Sequence, residues 1–371
     1  MIASASDSRG AILTIDLDAV AANYRLLRDK LGSGECAGVI KADGYGLGAE
    51  RVARTLAAVG CRTFFVAQID EGIRLHPLLP EAEIHVLNGL MPKTEVFFED
   101  YDLIPVLNSL GDIAAWQAYC RAGGRALPAD IHIDTGMARL GLPPDELAVL
   151  AEAPEKLDGI DVNTVISHLA CADEPDHPLN AAQLADFQAA RRILPHGRGS
   201  LANSSGIFLG TDYHADLARP GIALYGGAPN REAPNPMAQV VRLQGKILQV
   251  REIDTPQTVG YGATHEAAGR RKIATVPVGY ADGFLRSLSN RGHGWIGECR
   301  VPIVGRVSMD LITVDVTDAP AESARPGSLI DLIGPGNPID DVADAAGTVS
   351  YEILTSLGQR YHRVHVGGGR V

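Results

Sequence analysis

Hydrophobic and polar positions follow two different patterns along the chain, and the change falls near residue 235. Before it, short apolar runs alternate with stretches of helical apolar spacing, such as Ala49–Val59 and Gly111–Arg121. The predicted strands are Ala37–Ile40, Thr63–Ala67, Ile84–Leu87, Leu103–Leu107, Ile131–Asp134, Val162–Ser167, Ser200–Asn203 and Asp216–Arg219. About eight strand–helix units over this length are typical of a β/α barrel, with an open doubly wound sheet as the alternative.

A proline-rich segment, Ala228–Pro236, is typical of a linker, and predicted strands without intervening helices follow it. These predicted strands are Ala238–Val250, Lys272–Pro277, Val301–Val304, Leu311–Val316 and Ser328–Ile333, with helices near Pro338–Ala345 and Tyr351–Arg360. The pattern predicts a TIM-like α/β barrel domain over residues 1–235 and a separate, mainly β domain over residues 236–371. The run Ala11–Ile15 is a candidate for pairing with the second domain rather than with the barrel.

Composition supports a globular chain of two domains. The 371 residues are 46% hydrophobic and 21% charged, and the length exceeds what one ordinary core needs. The net charge of −12 argues against a nucleic-acid partner, and no apolar run is long enough to span a membrane. The start of the chain lacks an export signal, and the five cysteines include no Cys-x-x-Cys pair. Together these features predict reduced thiols and a cytoplasmic location.

The stretch Cys36–Gly48 carries the first candidate for chemistry. A short apolar run ends on Lys41 and continues into a glycine-rich turn. A lysine at the end of a buried strand lies near low-dielectric walls, which disfavour the ammonium and lower the pKa. A partly neutral lysine can attack a carbonyl and hold it as a Schiff base. The alternative is a solvated lysine before an ordinary turn.

Further polar residues follow later predicted strands. Arg139 comes after the fifth strand, His168 after the sixth and Ser204 after the seventh, while Arg219 ends the eighth. A barrel gathers all such strand ends into one ring, whereas an open sheet would spread them along an edge. The distribution therefore favours the barrel.

Several motifs resemble those of the alanine racemases. The stretch Val39–Gly48 resembles the pyridoxal-phosphate lysine motif of that family. Further motifs of the family follow in family order: Asp134–Gly141, Ser167–His168, Asn203–Ser204, Arg219–Ile222, Gly260–Ala263, Gly279–Gly283 and Gly305–Asp310. The resemblance implies an enzyme that interconverts L- and D-alanine with pyridoxal 5'-phosphate bound to Lys41. The enzyme that the resemblance implies requires no metal.

The resemblance also implies the residues that bind the cofactor. Its phosphate would be held by Ser204, Gly221 and Ile222, whose positions suit the phosphate site of a barrel. For Ser204 alone, helix capping is an alternative. Tyr45 and Tyr351 would also bind the phosphate, and the other implied cofactor contacts are His168, Asn203 and Arg219.

Arg219 would face the pyridine nitrogen of the cofactor. A guanidinium offers only donors and stays charged, so the nitrogen that faces it must remain unprotonated and accept. The ring then withdraws electrons weakly, which suits racemisation better than transamination.

Racemisation needs one proton removed from one face of Cα and another delivered to the opposite face. The resemblance assigns these tasks to Lys41 and Tyr261, with His168 beside Arg219 assisting the phenol. It assigns the substrate to Arg139, the Met309 amide and Asp310, and the entry channel to Tyr280 and Tyr351. It further implies a head-to-tail homodimer in which Lys41 of one subunit and Tyr261 of the other share a site.

One position departs from the pattern. Many family members carry a carbamylated lysine two residues before the aspartate of the Asp-Thr-Gly-Met motif, and here that residue is His132. Imidazole forms no stable carbamate of this kind, so an anion or a different carboxylate would have to orient Arg139. Two alternatives to alanine racemisation stay open, namely a serine or broad-specificity racemase of the same fold and a non-catalytic carrier of the cofactor.

Overall fold

The structure, a computed structural model, describes residues 8–194, 196–230 and 234–369. They divide into two compact units. The barrel unit comprises the described parts of Val20–Leu224 and Ala228–Met237, and the β unit comprises the described parts of Met1–Ala19 and Ala238–Arg370 together with Tyr225–Gly227. The predicted boundary after residue 235 stays a prediction. Residues 1–7 of the predicted leaderless start and 231–233 of the predicted linker lie outside the described residues.

The chain begins with one strand of the β unit and continues into the barrel elements. The strands are β1 (Ala11–Asp16), β2 (Glu35–Cys36), β3 (Gly38–Val39), β4 (Thr63–Val66), β5 (Glu83–Val86), β6 (Leu103–Leu107), β7 (Leu127–His132), β8 (Ile160–Ile166), β9 (Arg198–Ser200) and β10 (Leu217–Ala218). The helices are α1 (Leu17–Leu31), α2 (Lys41–Tyr45), α3 (Ala49–Ala58), α4 (Ile69–Leu75), α5 (Glu95–Asp100), α6 (Leu110–Gly123), α7 (Pro144–Glu152) and α8 (Pro178–Ile193).

Parallel strands in chain order build the barrel. β3 to β9 form a seven-stranded sheet, and β10 pairs in parallel with β2. Backbone bonds close the ring on both sides of β10, since Ala37 N donates to Ala218 O at 2.9 Å and Asp216 N donates to Gly199 O at 3.0 Å. The prediction of a TIM-like barrel is therefore confirmed.

Burial explains why the barrel strands could be predicted. Every residue of β4 and β6 is buried, because helices cover their outer faces and the barrel interior covers the inner ones. The predicted seventh strand, Ser200–Asn203, is shifted, because β9 ends at Ser200. The side chain of Asn203 accepts from Gly206 N at 2.9 Å and starts a turn, which takes this segment out of the sheet.

The β unit contains the remaining elements. Its further strands are β11 (Val241–Lys246), β12 (Gln249–Ile253), β13 (Thr258–Val259), β14 (His265–Glu266), β15 (Arg271–Val276), β16 (His293–Ile296), β17 (Cys299–Pro302), β18 (Ile312–Asp315), β19 (Leu329–Ile333) and β20 (His362–Val366). Its helices are α9 (Ile339–Ala346) and α10 (Ser350–Ser356). A six-stranded sheet has the order β17-β16-β19-β11-β1-β20, so β1 lies between β11 and β20. A three-stranded sheet, β12-β15-β18, and the β13–β14 pair accompany it.

Two predictions in the β unit are wrong in detail. The single predicted strand Ala238–Val250 is two strands, because the chain changes sheets between β11 and β12: Ile247 N donates to Ser328 O and Leu248 N to Thr275 O, each at 2.8 Å. The predicted helix Tyr351–Arg360 ends at Ser356. The next turn leaves the helix because Gly358 N donates to Asp282 O at 2.9 Å.

The helices and the polar clusters of the described residues limit which membrane and metal contacts they can make. None of their helices combines the length and the apolar character that a membrane-spanning helix requires. Nor do they contain a cluster of histidine, cysteine and acidic side chains that could hold a metal ion.

Candidate active site

Lys41 lies directly after the first barrel strand, at the start of an unusual turn. In α2, residues Ala42, Asp43 and Gly44 have φ values of 53°, 55° and 62°, and Tyr45 has 55°, so the turn is left-handed. For residues with a Cβ this conformation costs about 1–2 kcal/mol each, so contacts elsewhere must hold it.

Glu71 supplies those contacts from the first turn of α4. Its Oε1 accepts from Ala42 N at 2.6 Å, and its Oε2 accepts from Ala67 N at 2.8 Å and Gln68 N at 3.0 Å. One carboxylate thus binds the turn after β3 to the end of β4. Sequence analysis missed Glu71, whose only signal is its place at the third position of a helix, where acids cap.

The surroundings of Lys41 favour its neutral form. Burial is the largest cause of its lowered pKa, and the charges of Arg139 and Arg219 lower the pKa further, against Glu71. The amine is consequently easier to deprotonate than that of a solvated lysine.

Arg219 is buried at the start of the segment after β10. It is only 5% exposed, and its guanidinium donates to Ser167 O at 2.6 Å and to the Ser200 hydroxyl. Burial lowers its pKa to about 10, against the opposing charge of Asp130. Among the described residues no carboxylate accepts a hydrogen bond from this guanidinium, so N–H donors are available for another acceptor.

Two histidines near these cations are held neutral. Burial lowers the pKa of His168 well below its ordinary value, and Arg219, Arg139 and Lys41 add to the shift. Burial and Arg219 lower the pKa of His132 to about 4. His132 Nδ1 lies 2.7 Å from Asn108 Oδ1, so an amide is the hydrogen-bond partner of the residue that departs from the family pattern. Sequence analysis did not find Asn108.

Ser204, Gly221 and Tyr45 come together after β9 and β10. The Ser204 hydroxyl accepts from Gly221 N at 2.9 Å and from Ala223 N at 3.2 Å, which leaves its O–H to donate. Position 221 must be glycine, because a Cβ there would lie 2.0 Å from Tyr45 Oη. Ile222 begins a short 3-10 helix, Ile222–Tyr225. Ser204 therefore caps the segment that starts at Gly221, which is also the segment predicted to bind the phosphate.

Arg139 lies at the end of a tight turn after β7. The Asp134 carboxylate accepts from the amides of Gly136 and Met137, each at 2.9 Å, and from Ala138 N at 3.1 Å. Arg139 itself is exposed. Within the described ranges its guanidinium makes no ion pair, although its charge acts on Lys41 and both histidines.

The β unit presents a second set of predicted residues. Tyr261 begins a turn after Gly260 and is 73% exposed, which is unusual for a large aromatic side chain. Met309 is 54% exposed. Its carbonyl accepts from Ala281 N at 3.0 Å, while its amide finds no acceptor in the described part of the chain. Tyr351 is the second residue of α10 and is 43% exposed.

Arg360 holds the loop that carries Asp310. It binds both carboxylate oxygens of Asp282 at 2.6 and 2.9 Å and Asp310 Oδ1 at 2.7 Å. Tyr280, whose amide donates to Ser308 O at 3.0 Å, lies on the turn that Asp282 closes. Sequence analysis missed Arg360, because a single arginine beyond a predicted helix gives no signal.

These observations define a barrel enzyme with a lysine at the carboxyl end of its first strand. Sequence models of two domains match the chain: "Alanine racemase, N-terminal domain" at residues 15–229 and "Alanine racemase, C-terminal domain" at residues 240–365. The chain belongs to the alanine racemase family.

Individual relatives are similar over nearly the whole length. An alanine racemase of Rhodospirillum rubrum is 57% identical over 97% of both chains, and a catabolic alanine racemase of Agrobacterium fabrum is 50% identical over 96% of this chain and 92% of its own. The solved structure of alanine racemase from Bartonella henselae with covalently bound pyridoxal phosphate has a TM-score of 0.93. It is 43% identical and covers 96% of this chain and 99% of its own.

Proposed function

We propose that this protein is a pyridoxal-phosphate-dependent racemase that interconverts L- and D-alanine. The observation that carries the proposal is the position of Lys41, a half-buried amine of lowered pKa that follows the first barrel strand. The names of the relatives support the substrate and the cofactor.

The donor set fits the cofactor. A phosphate needs converging donors, and the Ser204 hydroxyl, the Ile222 amide and the Tyr45 hydroxyl meet this need around Gly221. A pyridine nitrogen needs a donor without competing carboxylates, and Arg219 offers one. Asn203, whose side chain caps a turn, and Tyr351 complete the proposed contacts. The chemistry that pyridoxal phosphate supplies is covalent capture of an amino group and withdrawal of electrons from the Cα–H bond.

Two bases move the protons. Lys41 takes or returns a proton on one face of Cα, since burial lowers the pKa of its amine. The Tyr261 hydroxyl serves the opposite face. His168, held neutral beside Arg219, has a nitrogen lone pair with which to accept a proton from the phenol.

The substrate carboxylate needs donors near these bases. The Arg139 guanidinium and the Met309 amide fill this role, because neither donates to another group among the described residues. Asp310, fixed by Arg360, lies next to that amide, and Tyr280 lines the entry.

The active species in this proposal is a homodimer. The exposed Tyr261 of one subunit completes the barrel site of the other, which explains why a large aromatic side chain is exposed in a single chain. The cytoplasmic location belongs to the proposal as well, and the five free cysteines suit a reducing compartment.

The decisive experiment follows the loss of optical rotation of L-alanine, with and without added pyridoxal phosphate. We expect cofactor-dependent racemisation of alanine, faster than that of serine or lysine.

Borohydride should fix the cofactor irreversibly, and peptide mapping should find it on Lys41. The Lys41→Arg variant keeps the charge but should take no label, whereas Lys156→Arg, at another lysine of the barrel unit, should label normally. Cofactor binding without turnover would favour a carrier, and label on a different lysine would refute the assignment.

A further inference from the structure

Charged side chains of alternating sign form a series that leads into the interior of the barrel. Arg198 Nη1 lies 2.7 Å from Glu35 Oε2, and its Nη2 lies 2.5 Å from Glu83 Oε2. Glu83 Oε2 lies 3.4 Å from His85 Nε2, an ionic contact rather than a hydrogen bond. His85 Nδ1 in turn lies 2.6 Å from Asp130 Oδ2. Glu35, Arg198 and Glu83 are partly exposed at the starts of β2, β9 and β5. His85 and Asp130, on β5 and β7, are buried, so the series runs from the exposed strand starts into the barrel interior.

His85 and Asp130 are the most enclosed members of this series. Both side chains are 0% exposed, and none of the steps proposed above uses them. A buried ion is tolerated only with a partner. Burial lowers the pKa of His85, but Asp130 and Glu83 outweigh burial and raise it to about 9, which favours the imidazolium. Asp130 Oδ1 is buried and has no hydrogen-bond donor in the described part of the chain.

Phe65 contacts both His85 of this pair and Arg219. Phe65 is the register partner of His85, and the two rings stack at 4.5 Å between centroids with 20° between planes. The Arg219 Cζ lies 5.8 Å from the centroid of the same Phe65 ring. Asp130 supplies a negative charge that opposes the effect of burial on the pKa of Arg219.

In this arrangement the negative charge near Arg219 and the groups that accept its hydrogen bonds belong to different residues. The Arg219 guanidinium donates to a hydroxyl and a carbonyl, both neutral, and within the described ranges it donates to no carboxylate. A carboxylate in direct contact would stabilise the guanidinium but would occupy donors that the ring nitrogen needs. A carboxylate farther off in the barrel interior stabilises the cation and leaves its donors available.

We propose that Asp130 is the buried counter-charge and positioning residue of Arg219, and that His85, 2.6 Å from Asp130, is the partner that stabilises this buried carboxylate. The inference rests on the proposed function, in which Arg219 faces the ring nitrogen of pyridoxal phosphate. Asp130 touches neither cofactor nor substrate and acts through Arg219.

The test compares Asp130→Asn with Thr164→Val. Thr164 is the register partner of Asp130 on β8 and is equally buried, but its replacement changes no charge. Two quantities are measured: the Kd of the apoprotein for pyridoxal phosphate, and the NMR shift of the ring nitrogen in the ¹⁵N-labelled cofactor complex. We expect Asp130→Asn to raise Kd about tenfold, equivalent to about 1.4 kcal/mol, and to move the ring-nitrogen shift. Thr164→Val should leave both quantities at the wild-type value, whatever it does to thermal stability.

The outcomes separate the two proposals. Wild-type Kd and ring-nitrogen shift in folded Asp130→Asn would overturn the inference while leaving the racemase intact. An equal change in Thr164→Val would also overturn it, because the effect would then be one of packing. Wild-type protein that binds no pyridoxal phosphate would overturn both proposals. If Asp130→Asn does not fold, the double variant His85→Gln/Asp130→Asn, which replaces both ions with neutral amides, undergoes the same two measurements and the same criteria.

Discussion

The Glu71 carboxylate accepts a hydrogen bond from the Ala42 amide at 2.6 Å, immediately after Lys41. Its second oxygen accepts from two amides at the end of β4. The left-handed turn that positions the lysine thus depends on an acid 29 positions further along the chain.

Replacement of Glu71 by glutamine should loosen this turn. Glutamine keeps the size of the side chain but replaces one acceptor oxygen with an amide that cannot accept. A hydrogen bond to a charged group contributes about 1.5–3 kcal/mol, so cofactor affinity should fall at least about tenfold. Titration of apoprotein with pyridoxal phosphate measures this fall. Asp70→Asn, which neutralises the exposed neighbouring acid, serves as the control and should bind normally. Equal affinity in both variants would show that the turn holds without Glu71.

Gly221→Ala should abolish the proposed phosphate site. The new Cβ would lie 2.0 Å from Tyr45 Oη, so the buried tyrosine or the backbone at 221 must move. We expect Kd for pyridoxal phosphate to rise by more than about tenfold, since two proposed phosphate ligands shift. Gly111→Ala, near the start of α6, is the matched control, because its Cβ would have no neighbour closer than Ser109 Oγ at 3.5 Å. Unchanged cofactor affinity in Gly221→Ala would exclude this phosphate site.

His132 should make the protein less stable in acid. Its pKa in the folded protein is lowered to about 4, whereas the unfolded chain protonates a histidine below about pH 6.5. Between these values the unfolded state binds more protons at this residue than the folded state does. The contribution of His132 to the free energy of unfolding therefore falls as the pH falls through this window, and it changes no further below the window. His132→Asn should reduce the difference in unfolding free energy between about pH 7 and pH 4.5 by up to about 2 kcal/mol. His196→Asn, at an exposed histidine, is the control, and equal acid sensitivity in both variants would contradict the assignment.

Activity should not depend on bicarbonate. His132 binds the Asn108 side chain through Nδ1, and imidazole forms no stable carbamate. Enzyme stripped of carbon dioxide at mildly acidic pH should therefore keep its racemase rate. Recovery of lost activity on adding bicarbonate would show that a carbamylated lysine elsewhere takes the role.

Mixed dimers test the sharing of active sites. Lys41→Ala and Tyr261→Phe should each be nearly inactive, since every site lacks one base. After random subunit exchange about half of the dimers are mixed, and each has one intact site, so about a quarter of wild-type activity should return. Mixing Lys41→Ala with the double variant Lys41→Ala/Tyr261→Phe cannot create an intact site and should restore nothing. If exchange is demonstrated and the first mixture stays inactive, Tyr261 must serve the barrel of its own chain.

The sequence predicted the barrel strands better than their ends. Strands such as β4 and β6 are apolar throughout because both faces are buried, and this pattern is visible in a linear sequence. The end of β9 depends on the Asn203 side chain, which accepts a bond from Gly206, and no apolar pattern records that contact.

Most of the site residues that the sequence did not predict act through long-range polar contacts. Lys41, Arg219 and Ser204 were identified from their positions after strands and from family motifs. Glu71, Asn108 and Arg360 act through hydrogen bonds to residues at least 24 positions away, and only the fold shows such partners. His85, inside an apolar strand, likewise gives no sign of a charge until Asp130 lies beside it.

The placement of β1 has a consequence for how the protein is made. Among the described strands it leaves the ribosome first, yet its neighbours in the sheet are β11 and β20, which end at Lys246 and Val366. During translation the barrel sequence is complete while both edges of β1 still lack their partners, and domains generally fold in order of synthesis. The earliest strand to emerge is therefore among the last to be paired, and a truncated or stalled chain exposes it as an open template for aggregation.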